Sequence, residues 1–377
     1  MIVFVVTYNC CIRVVKETAA LKRVADAEVH HIGFTPNRNG FAHTMTPYYQ
    51  YQHPQKDFIY QIEQAFKITQ KVDMFHVHNE PNWMAVVLKK KFPQIPLVFD
   101  CHDLDLARDQ KPTNIEVEAL LMADGLIFPS DGYRDLVINQ SFGGALKNKP
   151  HAVIYSQCNQ EIIKFISKIQ KPRLAGIVYE GKLINDENSH YPYRNHLPFF
   201  QGLIKKGINV FAYPSNPHVP YEYFEAGISL MPTLPYMDLM MELTRYDWGF
   251  VGGALQCVQR DRAMPNKLFE YITAGIPVLA MNVPEVENFI NEYDLGVVVK
   301  TVNDIKRVYG DHEKYRKNVC KLRSQISMEN QVDKIVKLYK EAEEECKKQN
   351  TQLTLDIPKP EEESSQSPQP LESAVGL

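Results

Sequence analysis

The chain has 377 residues, which is too long for one ordinary hydrophobic core and predicts about two domains. Its 44% hydrophobic and 23% charged content is typical of a globular protein, and its formal net charge of -3 argues against a protein that coats nucleic acid. The seven cysteines include no Cys-x-x-Cys pair, which argues against a zinc site or a redox pair and favours a reducing compartment.

The apolar segments are too short to cross a membrane. The apolar run at 2–6 lacks the charged leader of a secretion signal, and no later stretch reaches the roughly 18 consecutive apolar residues that a membrane helix needs. The basic run at 89–91 could touch an anionic membrane surface, although an exposed helix end explains it better. We therefore expect a cytoplasmic protein with at most peripheral membrane contact and no nucleic-acid partner.

In the first half of the chain, short β-branched apolar runs alternate with helical patterns. Such nearly continuous apolar runs are typical of strands buried on both faces of a parallel sheet. Strands are predicted at 2–7, 28–32, 74–78, 97–100, 125–129 and 152–155, and helices at 13–24, 59–69, 83–92, 114–122 and 131–139. This order predicts a doubly wound α/β domain.

The same alternation restarts after a pause at 156–174. Strands are predicted at 176–179, 209–212, 228–231, 248–251, 278–280 and 296–299, and helices at 193–206, 236–244, 267–274, 283–291 and 301–308. The sequence therefore predicts two Rossmann-like domains in series, an N-terminal domain at 1–158 and a second domain at 159–330. Ligands of such sheets bind at the carboxyl ends of the strands, so we expect a cleft between the two domains.

The last part of the chain is predicted to leave the second domain. A helix at 331–349 carries apolar residues on one face and charged residues on the other, so it is expected to pack back onto the body. From about 350 the chain is rich in Pro, Ser, Gln and Glu. Such a composition cannot bury enough apolar surface to offset its ordering entropy, so a disordered tail is predicted at 350–377.

The most informative stretch reads MPNKLFEYITAGIPVLA at 264–280. Pro265 is suited to the start of a helix and Gly275 to its end, and Lys267 and Glu270 are three apart on one helix face. A helix N-terminus favours a phosphate, and a carboxylate one turn along can accept from two ribose hydroxyls, which together suit a nucleoside diphosphate. A surface ion pair explains the two charges alone equally well.

This stretch resembles the donor-binding helix of GT-B-fold glycosyltransferases, particularly the large retaining group that includes bacterial polysaccharide and lipopolysaccharide enzymes. Shorter motifs similar to that family occur at 73–79, 97–103, 123–130 and 246–250 and, loosely, at 13–21. The resemblance covers most of residues 1 to about 345. It implies transfer of a sugar from a nucleoside diphosphate sugar, such as a UDP sugar, to an acceptor hydroxyl, with retention at the sugar carbon.

The resemblance also implies that 1–158 is the acceptor-side domain and 159–330 the donor-nucleotide domain, and it implies roles for residues of the latter. Glu270 would hold the donor ribose, Lys267 would lie near the diphosphate, and Lys182 carries over as a further catalytic cation. The remaining donor-binding candidates are Gly181, Asn266 and Tyr271. Such cations would stabilise the departing diphosphate, so we expect neither a metal nor another cofactor.

Histidines follow two of the predicted strands of the first domain. The resemblance implies that His102 touches the donor sugar or its phosphate, which makes it the third catalytic candidate. A packed core histidine is the alternative, but the position at a strand end favours function. His76 and His78 point to the same face of one strand, and only His78 is near enough to its carboxyl end to reach the cleft. With Asp103, it is an acceptor-side candidate.

The sequence departs from the family pattern in three places. Relatives often carry a second Glu eight positions before the ribose-binding one, where this chain has Arg262, which could contact donor phosphates or a sugar carboxylate or be simply exposed. Many relatives place another cation five residues beyond Lys182, where Glu187 stands. The cations that could replace it are Arg194 and Lys267. The Gly-rich loop after the first strand is replaced by TYNCC at 7–11.

Alternatives to this reading stay open. Asp103-Leu104-Asp105 could in principle hold a divalent ion, but a solvated turn explains it as well, and no metal is predicted. A nucleotide-sugar epimerase or hydrolase would use the same architecture without an acceptor, and a catalytically lapsed member would act as a binding or scaffold protein. A nicotinamide oxidoreductase lacks support because the glycine fingerprint is missing. The acceptor, whether a sugar, a lipid-linked sugar or another hydroxyl, is not identified.

Overall fold

The computed structural model describes residues 1–8, 10–33, 49–52, 58–142, 144–186, 189, 191–216, 218–253 and 255–355. Among these residues, two parallel β-sheets follow one another along the chain. In the first strand, Val3 and Val5 belong to one apolar cluster, while Phe4 and Val6 belong to another. Alternate side chains therefore pack on opposite faces, which explains the continuous apolar runs of the sequence.

The first sheet has seven strands in the order β3-β2-β1-β4-β5-β6-β7. These are β1 Ile2–Thr7, β2 Glu28–Gly33, β3 Tyr49–Gln52, β4 Met74–His78, β5 Leu97–Asp100, β6 Gly125–Phe128 and β7 His151–Val153. The helices are α1 Ile12–Val24, α2 Phe58–Thr69, α3 Trp83–Lys91, α4 Asp105–Asp109, α5 Asn114–Met122 and α6 Asp131–Arg134, continued by a π-helical stretch at Asp135–Ser141. The strand order reverses between β1 and β4, where a ligand crevice is expected.

The second sheet has six strands in the order β10-β9-β8-β11-β12-β13, which repeats the winding of the first. These are β8 Leu174–Gly181, β9 Val210–Pro214, β10 Ser229–Leu230, β11 Tyr246–Gly252, β12 Val278–Met281 and β13 Gly296–Val298. The helices are α7 Gln160–Ile166, α8 Leu197–Lys205, α9 Tyr221–Glu225, α10 Tyr236–Leu243, α11 Val258–Arg262, α12 Asn266–Ala274, α13 Pro284–Glu292, α14 Val302–Val308 and α15 His312–Arg323. Short 3-10 turns lie at Pro192–Arg194, Tyr309–Asp311 and Glu329–Gln331.

The last helix, α16 Val332–Leu355, returns to the first domain. Its buried Ile335, Leu338 and Tyr339 belong to the same apolar cluster as Val3 of β1. The prediction that this helix packs back onto the body matches this arrangement, but the helix continues six residues past the predicted end at 349, to Leu355. The rest of the predicted disordered tail, at 356–377, lies outside the described residues.

The predicted architecture of two doubly wound parallel-sheet domains is confirmed. The first sheet ends at Val153 and the second begins at Leu174, with the predicted boundary at 158 between them. The sequence missed β3, whose YQYQ sequence lacks an apolar run, the short helices α4, α7, α9 and α11, and also α15. In α15 half of the residues are charged, and only Val319 and Leu322 are buried, so its hydrophobic pattern is weak.

The helix predicted at 193–206 is shorter than expected. Pro192–Arg194 forms a 3-10 turn, and the α-helix begins only at Leu197, with Pro198 in its first turn. Proline tolerates a first turn but not a helix interior, which explains the late start. In the part of the chain that the structure describes, no helix is both long and apolar enough to span a membrane.

Candidate functional site

A cleft of about 520 Å³ opens where the carboxyl ends of the two sheets face each other. Residues that follow strands of the first domain line one side, among them Cys11, His102, Asp103, Pro129 and Ser156. Residues that follow strands of the second domain line the other side, among them Gly181, Lys182, Ser215 and Gly252. Ligands of parallel sheets bind at this position, so the cleft is the candidate functional site.

Most of the residues predicted from the sequence meet in this cleft. Those that line it are His102, Asp103, Gly181, Lys182, Asn266 and Lys267. Those that do not line it are His78, Arg262, Glu270 and Tyr271. Glu187, which replaces a cation of the family pattern, lies outside the described residues.

Four cations of the second domain line the cleft. They are Lys182, Arg194, Arg260 and Lys267. Within the described residues none of them forms an ion pair at 4.0 Å or less, and Asp103 is the one carboxylate among the lining residues. Aromatic rings take the place of counter-ions: the Lys267 Nζ atom is 4.1 Å from the ring centroid of Tyr179, and the Arg194 Cζ atom is 4.6 Å from that of Tyr191. The four cations can therefore bind an anionic ligand in the cleft.

Lys267 stands at the start of α12, beside the N-terminal end that favours a phosphate. Burial lowers the pKa of Lys267 to about 8; Arg194 and Arg260 also lower it, whereas Glu180 and Glu270 act in the opposite direction. An anion bound in the cleft would favour the charged form and raise this pKa again.

Arg260 is a site residue that the sequence analysis did not select. Its Nη1 atom donates to the carbonyl of Tyr193 at 3.2 Å, while its Nε and Nη2 atoms are buried without a hydrogen-bond partner among the described residues. A phosphate or carboxylate could accept from both free nitrogens. The Nε and Nη2 atoms of Arg260 are therefore available to bind an anionic ligand.

Arg262, the arginine that the sequence did select, faces away from the cleft. Its Nη2 atom donates to the Oε1 atom of Gln140 at 3.1 Å. Residues two apart on a helix are rotated by roughly 200° relative to each other, so on α11 only one of Arg260 and Arg262 can face the ligand. Helical periodicity could have identified Arg260, but the family pattern drew attention to the position two residues later.

Glu270 lies behind the cleft, not in it. It is 5% exposed, and its Oε1 atom is 3.4 Å from the Nζ atom of Lys16 in the first domain. Burial and then the neighbouring Glu270 raise the pKa of Glu180 well above its usual value, and the two carboxyl groups share a hydrogen bond. In this arrangement Glu270 joins the two domains, and it is not among the residues that line the cleft.

Tyr271 is a packing residue in the core. It is 0% exposed, and its hydroxyl accepts from the backbone N–H of Glu180 at 3.2 Å. A Cβ atom at Gly249 would lie 2.4 Å from the Tyr271 ring, so the ring fills the space that this glycine leaves. Tyr271 therefore does not line the cleft, and its predicted part in donor binding stays a prediction.

His78 also lies inside the first domain, in a buried group of charged and polar side chains. Glu17, His76, His78 and Asp100 place ligand-type atoms within 4.8 Å of one another. The guanidinium of Arg13 already supplies their positive charge, since its Nη2 atom is 2.9 Å from both Glu17 Oε1 and Asp100 Oδ2. These four side chains and Arg13 therefore form a buried ionic cluster. The absence of a metal from the reaction stays a prediction.

His102 connects this buried cluster with the cleft. Its Nδ1 atom is 3.3 Å from the Oδ1 atom of Asp100, and its side chain is 20% exposed. Burial alone would lower its pKa, but hydrogen bonds with Asp100 and with Cys11 raise the pKa of His102 to about 10. A protonated imidazole therefore faces the cleft at neutral pH.

The rim of the cleft is held together by α11. The Nε2 atom of Gln259 donates to Oδ1 of Asp103 at 2.6 Å, and the hydroxyl of Tyr193 donates to Oε1 of Gln259 at 3.0 Å. The hydroxyl of Ser130 donates to the carbonyl of Arg262. Asp103 is thus engaged in a contact between the domains, which an acceptor would have to displace or share.

The N-terminal domain matches a known sequence family. Residues 13–155 match the sequence model of Glycosyltransferase Family 4. The match begins in α1 and ends just after β7, so it covers most of the first sheet and its share of the cleft. Among curated protein sequences, no significant match is found.

Solved structures resemble the whole chain. HepE of Anabaena in complex with UDP superposes with a TM-score of 0.61 at 11% identity, covering 89% of this chain and 98% of HepE. A glycosyltransferase from Rickettsia africae gives 0.63 at 12% identity over 90% and 98% of the two chains. WaaG, a glycosyltransferase involved in lipopolysaccharide biosynthesis, gives 0.53 at 13% identity over 89% and 98%. Identities this low establish the fold alone, and they confirm the predicted GT-B fold. The family match likens residues 13–155 to Glycosyltransferase Family 4.

Proposed function

We propose that the protein transfers a sugar from a nucleoside diphosphate sugar to an acceptor hydroxyl. The observation that carries this proposal is the group of four cations without carboxylate partners at the N-terminal end of α12. A diphosphate is the anion that such an arrangement suits, because it offers many acceptor oxygens over a length that several cations can reach. HepE has been solved with UDP and with UDP-glucose, so uridine nucleotides are the first donors to test.

In the proposed reaction the bond between the sugar carbon and the diphosphate oxygen breaks, and the acceptor oxygen forms a new bond to that carbon. Negative charge grows on the departing diphosphate. Lys182, Arg260 and Lys267 surround the space that it would occupy and would stabilise that charge, together with the N–H groups at the helix end. We propose that the reaction needs no metal or other cofactor, because these cations supply the neutralisation. We also propose retention at the sugar carbon, on the resemblance to retaining GT-B enzymes.

The first domain would supply the other wall of the site. The protonated imidazole of His102 can donate to the donor sugar or to its phosphate. Asp103 lies on the same side and can accept from the acceptor hydroxyl if Gln259 releases it. We place the reaction in the cytoplasm, with at most peripheral membrane contact, where the free thiols of all seven cysteines stay reduced.

Glu270 is proposed to hold the ribose only after its carboxylate turns from Lys16 toward the cleft. The Lys16 contact is 3.4 Å long, and Glu270 keeps a second partner in Glu180. Donor binding would therefore exchange one set of partners for another. Glu270→Gln should weaken nucleotide binding if this exchange occurs and should leave it unchanged if the carboxylate stays behind the cleft.

The enclosed position of Glu270 also favours a second candidate function, a nucleotide-sugar-binding protein without transferase activity. Such a protein would bind the donor through its four cations but would not turn it over. A product assay with and without a panel of acceptors separates these cases, because an epimerase or hydrolase would act on the donor alone. Binding without any product would establish the second candidate.

The experiment that tests the proposal is a thermal-shift titration with UDP, GDP, ADP and UDP-glucose. A ligand at about a hundred times its dissociation constant stabilises the folded protein by about 2.7 kcal/mol. We expect such a stabilisation for at least one nucleotide with the natural protein and a much smaller one with Lys267→Ala. The exposed Lys205→Ala is the matched control and should behave like the natural protein. Equal shifts in all three proteins, or none, would contradict the proposal.

A further inference from the structure

His196 lines the cleft at the start of α8, and the sequence analysis did not select it. It is the N-cap residue of this helix, yet its side chain makes no capping hydrogen bond within the described residues. His196 is 2% exposed, and its ring packs against other rings, with centroids 4.6 Å from Tyr179 and 5.4 Å from Phe200. Its backbone N–H donates to the hydroxyl of Tyr223 at 3.0 Å. These contacts hold the imidazole in one orientation.

One nitrogen of the His196 ring is used inside the protein. The Nε2 atom is 3.1 Å from the hydroxyl oxygen of Tyr179. That hydroxyl donates its only hydrogen to the carbonyl of Lys182 at 3.2 Å, so toward His196 it can only accept. The imidazole must therefore carry a proton on Nε2.

The other ring nitrogen, Nδ1, is consequently a hydrogen-bond acceptor. Burial, and then the charges of Lys267 and Arg260, lower the pKa of His196 well below its usual value, so the ring is neutral at pH 7. With the proton on Nε2, the Nδ1 atom keeps its lone pair. Nδ1 is buried and has no hydrogen-bond partner among the described residues. An unpaired buried acceptor costs free energy, so a residue needed only for packing would gain nothing from it.

The guanidinium of Arg260 lies close to this acceptor. A Cβ atom at Gly253 would lie 2.7 Å from Nη1 of Arg260 and 3.1 Å from Nδ1 of His196, so both groups border the space that this glycine leaves. Nη1 donates one hydrogen to the carbonyl of Tyr193 and has a second N–H. A donor and an acceptor that do not pair with each other therefore approach the same point.

This pair of groups distinguishes among the groups of a ligand. A phosphate or carboxylate oxygen can accept from Arg260, but it offers no hydrogen to Nδ1 of His196. An ammonium group could donate to Nδ1, but the guanidinium would repel it. A hydroxyl group satisfies both, because its oxygen accepts from Arg260 and its hydrogen is donated to Nδ1.

We propose that His196 and Arg260 bind one hydroxyl group of the donor sugar and that this contact helps to select the sugar. Tyr179 connects this place with the proposed diphosphate site, because its ring centroid is 4.1 Å from Nζ of Lys267 and its hydroxyl is 3.1 Å from Nε2 of His196. A sugar attached to a diphosphate beside Lys267 can reach His196 across this one side chain. The inference rests on the proposed function and adds a residue that recognises the sugar.

The test compares two substitutions of His196 that each preserve the function of one nitrogen. In His196→Gln the side-chain amide can still donate to Tyr179 in place of Nε2, but the acceptor at Nδ1 is lost. In His196→Asn the side-chain oxygen can replace Nδ1, but the contact with Tyr179 is lost. A purely structural residue should tolerate Gln better than Asn, whereas a sugar-binding acceptor requires the opposite. His151→Gln is the matched control, because this histidine lies in β7 and does not line the cleft.

Isothermal titration calorimetry without an acceptor gives the dissociation constants of UDP, UDP-glucose, UDP-galactose and UDP-N-acetylglucosamine for each protein. GDP or ADP and their sugars replace them if that nucleotide binds best. The dissociation constant of the nucleotide divided by that of its sugar conjugate isolates the contribution of the sugar. We expect His196→Gln to lower this ratio about tenfold for the best-bound sugar, while the nucleotide alone binds within about twofold of its natural affinity.

His196→Asn and His151→Gln should keep the ratio within about threefold of its natural value. A ratio that stays unchanged in His196→Gln, or that falls equally in the Gln and Asn variants, would overturn the inference. Circular dichroism checks that each variant is folded.

Deoxy analogues of the best-bound nucleotide sugar identify the hydroxyl group and need only the natural protein if His196→Gln does not fold. Each analogue has hydrogen in place of one hydroxyl group. We expect one analogue to bind the natural protein about tenfold more weakly than its parent does and to bind His196→Gln as tightly as the parent does. If no analogue binds the natural protein more weakly, no hydroxyl group is recognised and the inference fails.

The affinity for the nucleotide alone separates this inference from the proposed function. If a nucleoside diphosphate binds and the ratio falls only in His196→Gln, both are supported. If it binds but the ratio is the same in the natural protein and all three variants, the donor site stands and the sugar contact fails. If none of UDP, GDP and ADP binds the natural protein, the donor site fails and the inference fails with it.

Discussion

The two walls of the cleft, one from each domain, differ in how their charged side chains are paired. On the first-domain wall, the Nη2 atom of Arg13 is 2.9 Å from carboxyl oxygens of both Glu17 and Asp100, so this buried cation has partners within its own domain. On the second-domain wall, Arg260 and Lys267 rest against aromatic rings and meet no carboxylate within 4.0 Å among the described residues. Charges that are satisfied internally hold a structure in place, whereas charges that are not satisfied remain available to a ligand. Substitutions of charged residues on the first-domain wall should therefore lower the stability of the protein, whereas those on the second-domain wall should lower its activity.

The largest expected effect is on the first-domain wall. Arg13→Met removes the cation between two buried carboxylates and should lower the free energy of unfolding by about 3–5 kcal/mol. Urea denaturation followed by circular dichroism measures this loss. Arg307→Met is the control, since this side chain is 75% exposed and should change the stability by no more than about 1 kcal/mol. Equal losses of unfolding free energy in the two variants would show that the buried cluster contributes no more to stability than an exposed ion pair does.

On the second-domain wall, Lys267→Met should reduce activity instead of stability. Loss of one charge-stabilising donor should lower kcat on the order of a hundredfold or more. The melting temperature should stay unchanged or rise slightly, because burial already disfavours the charged form of Lys267. Wild-type-like turnover would refute the role, and a large fall in melting temperature would place Lys267 with the structural charges of the other wall.

Acid should weaken the first-domain wall. Burial lowers the pKa of His76 to about 4, from an unfolded value near 6.5. A group whose folded pKa is depressed contributes its stability fully above the unfolded pKa and loses it as the pH falls toward the folded pKa. Between pH 7 and about pH 5, the natural protein should therefore lose about 2 kcal/mol more than His76→Gln does. Parallel urea titrations test this, and equal losses in both proteins would show that His76 does not titrate in this range.

A paired substitution on α11 sharpens the comparison. Arg260→Gln removes the guanidinium whose Nε and Nη2 atoms lack partners, so kcat/KM should fall at least about tenfold, as expected for a lost charged hydrogen bond. Arg262→Gln changes a side chain that contacts Gln140 outside the cleft, and kcat/KM should stay within about twofold. The reverse order would show that the cleft uses the arginine chosen from the sequence, not the one that lines it.

The smallest effect is the pH profile of activity. Since the pKa of Lys267 is about 8, kcat/KM should be full below that pH and fall as the lysine loses its proton above it. Arg stays charged throughout, so Lys267→Arg should keep its lower activity nearly constant to higher pH. A natural enzyme whose kcat/KM does not change above about pH 8 would contradict the assigned titration.

Features that leave a local pattern in the sequence were predicted best. Apolar runs and helix boundary residues are local, and they located α12 at Asn266–Ala274 within one residue of the prediction. The weak pattern of α15 was missed for the same reason, since few of its side chains are buried. Lys182 and Lys267, which the family resemblance selected, both line the cleft, where strand ends and helix starts meet. Tyr271 was predicted to bind the donor, but it is buried and does not line the cleft. A family motif does not say which of its residues face a ligand.

The sequence by itself determined the two-domain architecture, the position of the cleft and the helix that supplies its central lysine, because local periodicity fixes each element and parallel sheets bind at one edge. Only the tertiary structure decided which charges are paired and which are free. Arg13 and Asp100 are 87 residues apart, and Lys16 and Glu270 are 254 residues apart. Contacts over such separations leave no local pattern and exist only once the two sheets have packed against each other.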